Sequence, residues 1–178
     1  MSKTPLLVAV GLLAAVAAGG SAWWLTRPAD AGFAACSTSS VAGATIGGPF
    51  TLVSETGATV TSEDVLTKPS LVYFGYTFCP DVCPTDSARN AQALDLLQER
   101  GYDAQAVFVS IDPERDTVER VREFTGYFHD DMIGLTGSAE QVAAASKAYK
   151  TFYAKQSSDD EYYLVDHSTF TYLVLPED

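Results

Sequence analysis

A chain of 178 residues with 47% apolar side chains carries enough apolar surface for one folded domain and a short appendage, which excludes a disordered or collagen-like polymer. Asp and Glu number 23 against 11 Lys and Arg, a formal charge of −12 at pH 7. That balance argues against nucleic acid as a partner, because phosphate binding needs clustered cations, and suits cationic partners or metal ions. Three cysteines are too few for a disulfide framework.

Residues 6–25 are uncharged and long enough to cross a hydrocarbon core as one helix. Lys3 precedes them, Arg27 and Asp30 follow, and Trp23 and Trp24 stand where an aromatic belt would anchor the far interface. A cleaved signal peptide is the alternative, with Ala29-Asp30-Ala31 as its cleavage site. The apolar stretch is long for such a peptide, so residues 1–27 read as an uncleaved membrane anchor and the remainder as exported. Residues 28–45, rich in Ala, Gly, Ser and Thr, read as a linker. The third cysteine, Cys36, lies in that linker and reads as a bystander.

Residues 46–178 alternate strand and helix signals. Residues 49–53 and 58–60 flank Glu55-Thr56-Gly57, which predicts a hairpin. Ser70–Gly75 (SLVYFG) is the nearly continuous apolar run of a strand buried on both faces. Pro84 suits a first helical position and Gly101 a C′ cap, with Ala88, Ala91, Leu94 and Leu97 on one face. Residues 104–110 form the next strand. Asp116-Thr-Val-Glu119 resembles a capping box opening a helix through Val118, Val121 and Phe124. Residues 132–135 predict a short strand, and Ser138-Ala-Glu-Gln141 caps a helix running to about Tyr149. Residues 149–154, 162–165 and 169–175 are strand-like. The alternation implies an α/β domain with a central, largely parallel sheet flanked by helices.

The chemistry stands at the end of the first long strand, in Cys79-Pro-Asp-Val-Cys83-Pro84. In an open α/β sheet, ligands bind at the carboxyl ends of strands. Cys83 falls at a helix N-terminus, whose positive end is expected to lower its thiol pKa. The C-x-x-x-C spacing permits a disulfide and also lets both sulfurs converge on one metal ion. Soft thiolates select Cu(I) and suit zinc, and two sulfurs leave room for a third ligand. His167, ahead of the apolar strand 169–175, is the natural nitrogen ligand. His129 reads as a surface histidine at a helix C-terminus. Asp166 either supports His167 from behind or is a turn residue. Asp81 either opposes thiolate charge, attracts a cation or is a solvated turn residue.

The run YFGYTFCPDVCP (residues 73–84), the segment SIDPERDT (residues 110–117) and DHS (residues 166–168), in that order, resemble the Sco/SenC family. The resemblance spans roughly residues 46–175. It implies a thioredoxin-like domain that binds copper through Cys79, Cys83 and His167, as Cu(I) and in some states Cu(II). It implies a role in assembling the binuclear copper centre of cytochrome c oxidase, with the copper-bearing subunit and a copper donor as partners. It places the domain in the bacterial periplasm on an inner-membrane anchor, or in the mitochondrial intermembrane space. The family ordinarily continues with a further strand and helix, so the C-terminal part of the fold is expected to be missing and residues 169–175 to form an exposed edge. Asp112 and Asp116 belong to the resemblance but read as caps of the following helix.

Two function classes use the cysteine pair. A metallochaperone, which is no enzyme, requires His167. A membrane-anchored thiol–disulfide oxidoreductase acting on a partner's cysteines or on peroxide needs only the Cys79–Cys83 redox pair. A structural zinc site fails on ligand count, because three residues do not close a tetrahedron. Copper is the favoured reading.

Overall fold

The structure is a computed structural model that describes residues 46–157 and 163–176. The chain enters through an antiparallel hairpin of β1 (Thr51–Ser54) and β2 (Thr59–Thr61). A single helical turn, α1 (Ser62–Val65), follows. It was not predicted, yet its capping box is built from Thr61 and Asp64. Then come β3 (Ser70–Gly75), α2 (Val82–Glu99), β4 (Gln105–Ser110), α3 (Val118–Phe128), β5 (Met132–Thr136) and α4 (Ala139–Ala148). Three short strands close the described chain: β6 (Tyr153–Lys155), β7 (Val165–His167) and β8 (Thr171–Val174).

Six strands form one sheet in the order β2-β1-β5-β4-β3-β8, and among the described residues β6 pairs only with β7. The fold class is the mixed α/β sheet with flanking helices that was expected, but the sheet is parallel only at its centre. β3, β4 and β5 are parallel, because α2 and α3 supply crossovers between them. β1 and β8 pair antiparallel with β5 and β3. All six residues of β4 are buried, as the middle of such a sheet requires. Beside β4, Val72 and Phe74 of β3 and Leu135 of β5 are each at most 1% exposed.

Several boundaries differ from expectation, two of them here for reasons of packing and capping. Residues 149–154 do not form one strand. Tyr149 is the C-cap of α4, 1% exposed, with its ring against Phe50, Phe74 and Tyr172. Lys150 takes φ +54 and ends the helix, so β6 starts only at Tyr153. The second difference is the cap of α3, which is Thr117, whose hydroxyl accepts from Arg120 N at 3.3 Å. Asp116 is therefore not the cap. Its buried carboxylate points inward instead. Gly101, at φ +82 directly after the Arg100 C-cap of α2, supplies the left-handed stop that the sequence signalled.

Among the described residues no helix is long and apolar enough to cross a membrane. The predicted anchor, the linker, Cys36 and the start of the strand predicted over 162–165 lie outside the described residues.

Candidate metal centre

β3 runs buried through the sheet and releases the chain at Tyr76, where Cys79 N turns back to donate to Tyr76 O at 3.2 Å. The helix then begins at Val82, two residues earlier than Pro84 suggested, so Pro84 occupies the third helical position. That site still tolerates proline, because the first N–H groups of a helix lack intrahelical partners. Asp81 is the N-cap residue but makes no side-chain cap bond, and it is exposed. The Cys79 sulfur does that work instead: Cys83 N donates to Cys79 Sγ at 3.3 Å. Cys79 thus sits on the positive end of α2, and Cys83 is the helix's second residue.

His167 arrives on β7, opposite Tyr153 of β6. It lies at the end of a strand, not in a free turn. Val165 N donates to the Tyr76 hydroxyl at 3.2 Å, which ties this arm to the residue that follows β3. His167 Nε2 lies 3.3 Å from Cys83 Sγ across 84 residues of sequence. His167 Nδ1 lies 2.8 Å from Ser168 O. A carbonyl only accepts, so Nδ1 carries the proton and Nε2 presents a lone pair to the sulfurs. The rings of Tyr76 and Tyr73 stand edge-on to the imidazole at 5.7 and 6.3 Å. One donor atom from each of Cys79, Cys83 and His167 lies within 4.8 Å of the others. The structure therefore brings together all three residues that the sequence singled out.

The electrostatics correct one expectation. Cys83 is fully buried, and that burial pushes its thiol well above the usual range, opposed only in part by the Tyr76 backbone amide. Desolvation of the charged form outweighs the helix terminus. Without metal, Cys83 is a thiol that donates to His167 Nε2, and a metal must displace that proton. Two sulfurs and one imidazole form a soft set that fits Cu(I) and leaves a tetrahedral zinc site open.

The remaining sequence candidates do not join this group. Asp166 is exposed and accepts from Gln156 Nε2 at 2.7 Å. His129 caps α3; its Nδ1 accepts from Asp131 N at 2.9 Å and its Nε2 lies 3.4 Å from Asp95.

The sequence reading overlooked Tyr76 and Gly75. A Cβ on Gly75 would stand 2.7 Å from Tyr73 Cε1, 3.0 Å from Phe108 Cε2 and 3.0 Å from Cys83 Sγ. A glycine ending a strand, next to a cysteine motif, is itself a signal of close approach. Gly75→Ala is expected to lower stability by about 1–3 kcal/mol through overpacking, and to weaken metal binding by displacing Cys83. Gly126→Ala is the control. Its Cβ meets nothing within 4 Å, and in helix α3 it is expected to gain about 1 kcal/mol. Thermal melts of both variants check the opposite signs.

Comparison with known proteins follows the same lines. The family profile described as SCO1/SenC matches residues 38–178. The protein SenC of Rhodobacter capsulatus is 54% identical over 177 residues, 99% of this chain and 80% of that protein. The SCO1 homolog 1, mitochondrial, of Arabidopsis thaliana is 45% identical over 135 residues, 75% of this chain but only 40% of that protein. A crystal structure of Arabidopsis thaliana ScoI with copper bound superposes with a TM-score of 0.71 at 44% identity, covering 74% of this chain and 83% of that one.

Proposed function

The chain belongs to the SCO1/SenC family, and from that premise we propose that it is a copper metallochaperone for the binuclear centre of cytochrome c oxidase. Cys79, Cys83 and His167 hold the copper, as Cu(I) and, when oxidised in place, as Cu(II). The copper comes from a donor protein and passes to the copper-bearing oxidase subunit. Residues 1–27 anchor the chain in a bacterial inner membrane with the folded domain in the periplasm. A mitochondrial inner membrane, with the domain facing the intermembrane space, is the alternative setting.

The observation that carries this reading is His167. A cysteine pair used only for thiol exchange needs a thiolate and an electrophile, not a third donor. Here the imidazole reaches across 84 residues to 3.3 Å from Cys83 Sγ, and its tautomer is set by Ser168 O so that the free nitrogen faces the sulfurs. The thiol–disulfide oxidoreductase reading would leave that arrangement without a use.

The test is transfer. Full-length chain loaded with Cu(I) is mixed with the copper-free soluble domain of an oxidase copper-bearing subunit, and the metal content of each is measured after separation. Copper is expected to move to the oxidase domain. Copper that stays on the chain under all redox conditions contradicts the delivery role.

A further inference from the structure

The strand pair that carries His167 is not part of the main sheet. β6 and β7 pair with each other, and among the described residues no ladder joins them to the six-stranded sheet that delivers the cysteines. Apart from the short link from β7 to β8 and the Val165 N to Tyr76 Oη bond, side-chain contacts fix where the imidazole stands relative to the sulfurs. Most of them converge on one short segment, residues 111–117 between β4 and α3.

Asp112, 4% exposed, accepts from Tyr163 Oη at 2.6 Å and from Arg115 Nε at 2.6 Å. Tyr163 lies four residues before His167, on the approach to β7. The Arg115 guanidinium stacks on the Tyr163 ring, its carbon 3.5 Å from the ring centroid, and reaches the Phe78 ring at 4.7 Å. Phe78 directly precedes Cys79. One flat cation thus lies between the arm that bears the histidine and the loop that bears the first cysteine. The same segment grips that loop a second time. Asp116 accepts from Thr77 N at 3.0 Å and from Thr77 Oγ1 at 2.6 Å. Ser110 Oγ joins the two carboxylate residues: it accepts from Asp112 N at 3.1 Å and donates to Asp116 at 2.6 Å. Neither aspartate caps α3, since Thr117 does.

We propose that Asp112, Arg115 and Tyr163 are positioning residues that clamp the histidine arm onto the cysteine loop and so set the third donor of the site. The inference rests on the copper reading of that site. Arg115 acts through its plane as well as its charge, because a lysine keeps the charge but cannot stack between two rings while forming a fixed hydrogen bond to Asp112. Tyr163 acts through its hydroxyl, since its ring packing survives in phenylalanine.

The test uses the reduced full-length chain with Tyr163→Phe and Arg115→Lys, each alone and combined with His167→Ala. Cu(I) affinity is read by competition with a chromophoric chelator, and the metal-free protein is read by imidazole ¹⁵N resonances. Both single variants are expected to lose about 10–100-fold in copper affinity, the scale of removing a group that supports a metal ligand. In the His167→Ala background they should add no further loss, because the group they position is gone. In the metal-free protein, the His167 Nδ1–H signature should weaken in Tyr163→Phe and remain in wild type. Wild-type affinity in the single variants, or an equal loss with and without His167, overturns the clamp. If the wild type binds no copper, the copper reading fails. The clamp is then judged on the imidazole resonances alone, where an unchanged His167 signal in both variants overturns it.

Discussion

The reduced full-length chain is expected to take up about one copper per chain, and the chain carrying a Cys79–Cys83 disulfide essentially none. Both sulfurs belong to the donor set, and a disulfide removes both at once. The structure makes the pair accessible to each state. Both cysteines are free thiols, and Cys83 N already reaches Cys79 Sγ at 3.3 Å, from the start of α2 back to the loop that precedes it. The two sulfurs lie within 4.8 Å of each other, so a small turn of the two side chains brings them to the S–S bond distance of about 2.0 Å. Cys36→Ser is expected to leave the stoichiometry unchanged in both states. Copper retained after oxidation, or lost in Cys36→Ser, would show that Cys79 and Cys83 are not jointly the site. Metal analysis after gel filtration of the three samples decides it.

Replacing the histidine should produce the second large effect. His167→Ala is expected to weaken Cu(I) binding by more than about 100-fold, beyond what loss of a merely supporting group costs. The variant should still form and reduce the Cys79–Cys83 disulfide, because thiol exchange requires no third donor. Its fold should survive, since His167 ends a three-residue strand outside the six-stranded sheet and is only half-buried. Competition titration and disulfide equilibration against a glutathione buffer separate the two properties. Unchanged copper affinity would remove His167 from the site and return the oxidoreductase reading to the front.

Much of this architecture was legible in local patterns. The run Ser70–Gly75 matches β3 residue for residue, because a strand buried on both faces has no alternation to blur its ends. The Ser138–Gln141 box opens α4 as written, because both of its hydrogen bonds are local. Expectation failed where long-range packing overrode local preference. Tyr149 stands at the end of the predicted helix and at the start of the strand-like run 149–154; it caps the helix, and the strand begins only at Tyr153, because the Tyr149 ring fills the core beside Phe74. The parallel character of the sheet was overestimated because pairing direction depends on connections that periodicity does not encode. At the site, the cysteines and histidine were visible as residue types, and the resemblance joined them. The groups that aim them were not. Asp112 and Asp116 have the composition of caps, and only their partners Tyr163 and Thr77, dozens of residues away in sequence, reveal what they hold. The direction of the Cys83 shift was misjudged for a similar reason, since helix position is readable in sequence and burial at 0% exposure is not.

The central claim is that one copper ion is held by two sulfurs and one imidazole nitrogen. X-ray absorption at the copper edge of the reduced, Cu(I)-loaded full-length chain tests it most directly. The wild type is expected to show a donor set of two sulfurs and one nitrogen, with the nitrogen lost in His167→Ala and a sulfur lost in Cys79→Ser. A wild-type spectrum with fewer than two sulfurs, or with a nitrogen contribution that persists in His167→Ala, would contradict it.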